Sequence, residues 1–272
     1  MLKLIKQLLI VLLLLKTQLV FAENFDHSQW DILLKKHVIS KKGGAVTQVD
    51  YAALAKNRTQ LESYLKQLSS VSQGSFETWS RDEQLAFLIN AYNAWTLELI
   101  LQKYPDIKSI KELGGFLSSP WAKSFIPLLG ATRSLDDIEH TLIRGSGLYP
   151  DPRIHFAVNC ASIGCPALRK EAYVGTKMDA QLKEQTHLFL SDRNRNRLNG
   201  NTLELSSIFK WYEKDFRKGW LSIYSLANFV EQNAGSLGLT AGQVKQINEG
   251  SIEIDFLDYD WRLNDKRQGS SE

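Results

Sequence analysis

Between Arg81 and Lys103 the chain is apolar on two sides of a helical wheel at once. Leu85, Leu88, Ile89, Tyr92, Trp95 and Leu99 make one face, and Ala86, Asn90, Asn93 and Leu97 make a second. A helix apolar on both sides is predicted to lie buried in the core. Ser80 followed by Glu83 marks its start as a capping box, and Pro105 stands just past its end. The two asparagines need hydrogen-bonding work there, because a buried amide without partners costs about 1–3 kcal/mol. Either they cap a neighbouring backbone or they line a polar pocket.

The same periodicity predicts amphipathic helices over 25–38 and 50–70, joined by the Lys41-Lys42-Gly43-Gly44 turn, and further helices over 176–190 and 222–235. Residues 106–133 read as loop, with Gly114-Gly115, Pro120 and Pro127 and with Phe116, Trp121 and Phe125 outward, the kind of segment that builds binding sites. A short helix, "SLDDIEHTLIR", follows with Ser134 and Asp137 in capping positions. Alternation over Ile154–Asn159 predicts a strand, with Ile154, Phe156 and Val158 on one side and His155, Ala157 and Asn159 on the other. Residues 197–203 read as a hairpin around Asn199-Gly200. Helices outnumber strands, so the expected class is α+β: a mostly helical single domain with a small antiparallel sheet.

Residues 1–22, "MLKLIKQLLIVLLLLKTQLVFA", have Lys3 and Lys6 ahead of an apolar run from Leu8 to Leu15, and small or aliphatic residues before a cut after Ala22, the pattern of a secretory signal peptide. Lys16 leaves too little apolar length for a membrane span of about 20 residues. The whole chain has 33 basic and 30 acidic residues, and Lys3, Lys6 and Lys16 leave with the leader, so the mature protein is neutral. A neutral protein lacks the field that nucleic-acid or anionic-membrane binding uses, so neither is expected as a partner. The expected organisation is a leader at 1–22, an N-terminal helical region at 23–79 packed on a main domain at 80–264, and a disordered tail at 265–272. The expected location is the periplasm or the secreted fraction.

Four ordered motifs, "AFLINAYNAW" at 86–95, "LDDIEHTLIR" at 135–144, "IHFAVNCASIGCP" at 154–166 and "IFKWYEKDF" at 208–216, with "YDWRLN" at 259–264, resemble the domain of unknown function 547 family (DUF547) from about Asp82 to Asn264. The resemblance implies that Cys160 belongs to the family pattern while Cys165 is more often replaced, and that Glu139 and His140 belong to it as a pair. Ala161 stands where many members carry glycine. By analogy the resemblance reaches to papain-like or transglutaminase-like thiol enzymes, and so to a core of that kind.

The two cysteines of the chain lie five positions apart, and three readings compete. A disulfide needs Cα atoms about 4.4–6.8 Å apart, which four intervening residues with a flexible Gly164 allow. A metal site needs three or four ligands, and Cys160, Cys165, His155 and His140 match no zinc-binding spacing, so neither metal nor cofactor is expected. A thiol nucleophile needs an exposed turn, a base in reach and a third group to orient the base. Cys160 supplies the first. His140, three and four residues after Asp137 and Asp136, is the expected base, since five residues of strand would hold His155 about 16 Å from Cys160.

Asp136, Asp137 or Glu139 would orient His140, and Glu139 could instead pair with Arg144 or Arg169. The N–H groups of Ala161 and Ser162, or the side chains of Asn90 and Asn93, would polarise a carbonyl. Trp211, Tyr212, Asp215, Tyr259, Asp260 and Trp261 read as packing with buried polar handles. The expected function is a thiol-dependent hydrolase or acyltransferase acting on a peptide-like or other small-molecule substrate. Its rival is a non-catalytic binding or scaffold module closed by a Cys160–Cys165 disulfide.

Overall fold

The computed structural model describes residues 24–115 and 118–267. The leader, Phe116 and the last five residues of the expected tail lie outside that range. In chain order the elements are α1 (Ser28–His37), β1 (Val38–Lys41), β2 (Val46–Val49), α2 (Tyr51–Lys56), α3 (Arg58–Ser70), α4 (Gln73–Glu77) and α5 (Arg81–Leu101), then β3 (Ile126–Leu128), β4 (Ala131–Arg133) and α6 (Asp137–Arg144). They continue with α7 (Met178–Ser191), β5 (Arg197–Asn199), β6 (Thr202–Ser206), α8 (Ser207–Trp211), α9 (Leu226–Gln232), α10 (Ala234–Leu237), α11 (Ala241–Asn248) and β7 (Glu253–Leu257). The class is α+β and mostly helical.

Helix α5 is the axis of the molecule. Ser80 caps it by accepting the Glu83 N–H at 3.3 Å, and every residue from Glu83 to Leu101 is buried. Around it pack α1, α2 and α3, so the N-terminal helices and α5 share one core that includes Trp30, Tyr51, Tyr64 and Phe87. A second core, rich in phenylalanine, gathers Phe156, Phe189, Phe209, Phe216 and Phe229 under α7, α8 and α9.

Several predicted elements change form. The turn at Lys41–Gly44 joins strands rather than helices: β1 and β2 pair antiparallel, Val38 opposite Val49, and Asn57 divides 50–70 into α2 and α3. The loop-rich 106–133 stretch contains a hairpin of its own, β3 with β4. The 222–235 helix shortens to α9. In the 197–203 hairpin Asn199 pairs with Thr202, so the two turn residues are Gly200, at φ 58°, and Asn201. The sheet there is mixed, since β6 also pairs parallel with β7.

The most consequential change is at 152–156. The predicted strand is a 3-10 turn, Pro152–Phe156, begun by Asp151, whose carboxylate accepts the Arg153 N–H at 2.9 Å, with Pro152 in the first turn. An acidic cap followed by proline is a helix start, and it overrides the alternation seen downstream.

Candidate functional site

The segment after Asp151 runs along the seam between the two cores: Ile154 and Ala157 belong to the first and Phe156 to the second. The 3-10 turn aims His155 inward, where its ring stacks on Tyr212 with centroids 3.8 Å apart. Its Nε2 lies 2.8 Å from Asp215 Oδ2. Arg144 Nε and Lys218 Nζ reach the same carboxylate at 2.6 and 2.7 Å. Burial pushes the Asp215 carboxyl up, but the hydrogen bonds from His155, Arg144 and Lys218 outweigh it and hold the group far below the usual carboxylate range. An ionised carboxylate can only accept, so the proton of His155 sits on Nε2.

Burial also pushes the His155 pKa down, against the pull of Asp215 and Glu139. The imidazole is therefore neutral near pH 7 and its Nδ1 carries a bare lone pair. That atom is buried without a hydrogen-bond partner, and Glu139 Oε1 lies 4.0 Å from it. Such a ring, oriented through one nitrogen and open at the other, is the arrangement of a general base.

Cys160 and Cys165 are joined by a disulfide, their Cα atoms 6.2 Å apart. The Tyr259 hydroxyl is 3.2 Å from each sulfur, and Ser162 Oγ is 3.3 Å from Cys160 Sγ. The C-terminal segment fastens the loop: Arg262 O accepts from Ile163 N–H, Asp260 O from Gly164 N–H and Ala161 O from Asn264 N–H. Gly164 is required there, because a Cβ would stand 2.9 Å from the Tyr259 ring.

A cavity of about 230 Å³ brings Asp136, Glu139, His140, His155, Cys160 and Cys165 to one wall system, completed by Tyr92, Trp121, Trp211, Tyr212, Tyr259 and Trp261. The remaining expected site residues do other work. Asn90 pairs twice with the backbone of Tyr173, at 2.8 and 3.0 Å, and Asn93 bridges Ala157 O and Asn159 N–H at 3.0 and 2.8 Å. Both amides cap a neighbouring backbone, one of the two outcomes weighed above, and neither lines the cavity. Asp137 and Ser134 cap α6 reciprocally, Ser134 N–H to Asp137 at 2.8 Å and Asp137 N–H to Ser134 Oγ at 3.0 Å. The Ala161 N–H donates to Asn159 Oδ1 at 2.9 Å and points at no substrate.

His140 is partly exposed. Its Nδ1 accepts from Arg144 at 2.7 Å, and its Nε2 is 3.7 Å from Asp136. With one nitrogen filled by a cation and the other facing a carboxylate, its ring has no lone pair to offer a thiol. Glu139 pairs with neither arginine proposed for it: Arg144 goes to Asp215, and Arg169 to Glu171 and Glu184. The residues that sequence reading missed are Asp215, Tyr212 and Tyr92. Asp215 and Tyr212 stand in the quoted "IFKWYEKDF" block, where acids set among aromatics were the available signal.

The fold and pocket together define an α+β protein with a cysteine–histidine–carboxylate cavity at the seam of two cores. Residues 76–190 match the family described as "Protein of unknown function, DUF547". The first three motifs fall within the match; "IFKWYEKDF" and "YDWRLN", which supply Asp215 and the clamp on the cysteine loop, lie beyond it. No curated protein and no solved structure matches the chain.

Proposed function

We propose that this protein is an exported thiol-dependent hydrolase or acyltransferase acting on a peptide-like substrate, with Cys160 as nucleophile in the reduced chain, His155 as base and Asp215 as the group that orients the base. The observation that carries the reading is the buried, neutral His155, fixed through Nε2 by an ionised Asp215 and open at Nδ1 on the cavity that Cys160 lines. His140, the base expected from sequence, gives way to it because its lone pair is occupied. Catalysis requires that a dithiol reductant first convert the Cys160–Cys165 bridge into two thiols, the reductant leaving as its own disulfide. Export to the periplasm or the medium is supported by the leader-like residues 1–22 and by the bridge itself.

The bridge also favours a second reading, a non-catalytic binding module whose loop it closes. One experiment separates the two. After treatment with dithiothreitol, Cys160 should react with iodoacetamide at pH 7, and His155→Ala should slow that reaction about a hundredfold, within the range a positioned base supplies. His140→Ala should leave the rate within about threefold of wild type. A bridge that resists excess reductant in the folded protein, or a larger effect of His140→Ala than of His155→Ala, would overturn the catalytic reading and leave the binding module.

A further inference from the structure

Glu139 is 4% exposed, and its Oε1 finds no hydrogen-bond donor although it borders the cavity. The Tyr92 and Tyr212 hydroxyls lie against the same carboxyl group. Across from it, 4.0 Å away, stands His155 Nδ1, equally buried and equally unpartnered. Oε1 and Nδ1 face each other with no donor between them; the donors that the carboxyl group does have are the Tyr92 and Tyr212 hydroxyls. Leaving buried acceptors unpaired costs about 1–3 kcal/mol each, so each awaits a donor: His155 Nδ1 the Cys160 thiol of the reduced chain, and Glu139 Oε1 something that brings protons in.

The cations nearby are engaged elsewhere. Arg144 and Lys218 hold Asp215, and Lys111 sits over the Trp261 ring at 4.7 Å. Asp136 adds a second carboxylate to the wall. The opposite wall is aromatic: Trp211, 47% exposed, stacks on Trp261 at 5.6 Å and tilts against Tyr259 at 4.8 Å. Carboxylate on one side and ring faces on the other recognise a cation. Among the described residues no group of three histidine, cysteine or acidic side chains is arranged to hold a metal ion, so the cation that fits is organic.

From this arrangement we infer that the cavity is a subsite for a primary ammonium group on an alkyl chain, such as a lysine-type side chain or the amino end of a peptide. Its N–H bonds go to Glu139 Oε1 and to the Asp136 carboxyl group, its methylenes lie along Trp211 and Tyr259, and His155 Nδ1 stays open to the Cys160 thiol. The inference deepens the proposed function by naming the substrate group held beside Cys160. It rests on that reading only for the word substrate, because the subsite exists in the disulfide form.

The test therefore uses the oxidised full-length protein, in which no thiol is available to react. Titration with n-butylammonium, followed by tryptophan fluorescence at pH 7, should saturate with an affinity at least tenfold above that of n-butanol and of tetramethylammonium, which lacks N–H donors. Glu139→Gln should weaken butylammonium binding about tenfold or more, with the circular dichroism spectrum unchanged. Should the variant not fold, the three wild-type titrations decide alone. Equal binding of butanol would remove the cation site, and equal or tighter binding of tetramethylammonium would remove the paired acceptors. Failure of either kind leaves the iodoacetamide result untouched, and failure of thiol labelling leaves the amine titration untouched.

Discussion

Asp215 holds three donors at once, and its loss would be felt first as stability. Asp215→Ala would leave the His155 Nε2–H buried without an acceptor and strand Arg144 beside it, a cost of about 2–3 kcal/mol. Asp215→Asn keeps an acceptor for His155 and should cost less than half as much. Urea unfolding of the two variants checks the order, and equal losses would mean that charge rather than the hydrogen bond is what His155 needs. Ala161 poses a smaller question. Its φ of 60° lies in the left-handed region, where an L-residue pays about 1–2 kcal/mol and glycine pays nothing. Glycine would also free the unfolded chain and delete a fully buried methyl group, together offsetting about as much. Ala161→Gly should thus fall within about 1 kcal/mol of wild type, while Ala161→Val, with a branched Cβ at positive φ, should lose several.

Helix α5 was legible in the sequence because its apolar positions surround the wheel, and burial of every residue from Glu83 onward followed from that alone. Its asparagines are the connectors that a buried helix needs to hold non-helical neighbours. Replacing Asn90 with the near-isosteric Leu would leave the Tyr173 N–H and C=O unpaired in the core, about 3 kcal/mol of destabilisation, and Asn93→Leu should do the same at Ala157 and Asn159. A thermal melt would register either as a drop of several degrees. The turn at 152–156 was not legible from alternation, and the reason is its place at the seam. Ile154, His155, Phe156 and Ala157 are all buried because a core presses from each side, so period 2 carries no information there. The Asp151-Pro152 start did carry it. Reading that turn as strand sets His155 about 16 Å from Cys160, whereas both residues line one cavity. Asp215 stayed hidden for a different reason: beyond the nearby Lys218, its partners His155 and Arg144 lie 60 and 71 positions away, and no spacing rule spans that distance.

At the scale of the whole molecule, acid stability separates the buried histidines from the paired acids. His27 packs against Phe25 and Tyr64, and its Nδ1 is 2.7 Å from the Tyr64 hydroxyl. Burial lowers its pKa to about 4 against the opposing pull of Asp26. His37 and His155 are lowered as well, each first by burial. A histidine whose folded pKa lies below its unfolded value of 6.5 takes up its proton more readily when unfolded. Its contribution is complete above pH 6.5 and is lost as pH falls toward the folded pKa. For His27 the full loss by pH 4 is roughly 3 kcal/mol. The depressed carboxylates, Asp215, Asp50 and Asp260 among them, behave oppositely in position: their contribution holds above the ordinary carboxylate range and goes only below it. Unfolding free energy from urea titrations should accordingly begin to fall near pH 6.5, two units before the acids contribute, and fall further below pH 4. His27→Gln, which can still pair with Tyr64, should make the pH 6.5-to-4.5 slope shallower by up to one proton while leaving the lower limb unchanged. A wild-type profile flat from pH 7 to 4.5 would mean that these histidines titrate in the folded protein as they do in the unfolded one, and that the N-terminal helices do not seal His27 from water.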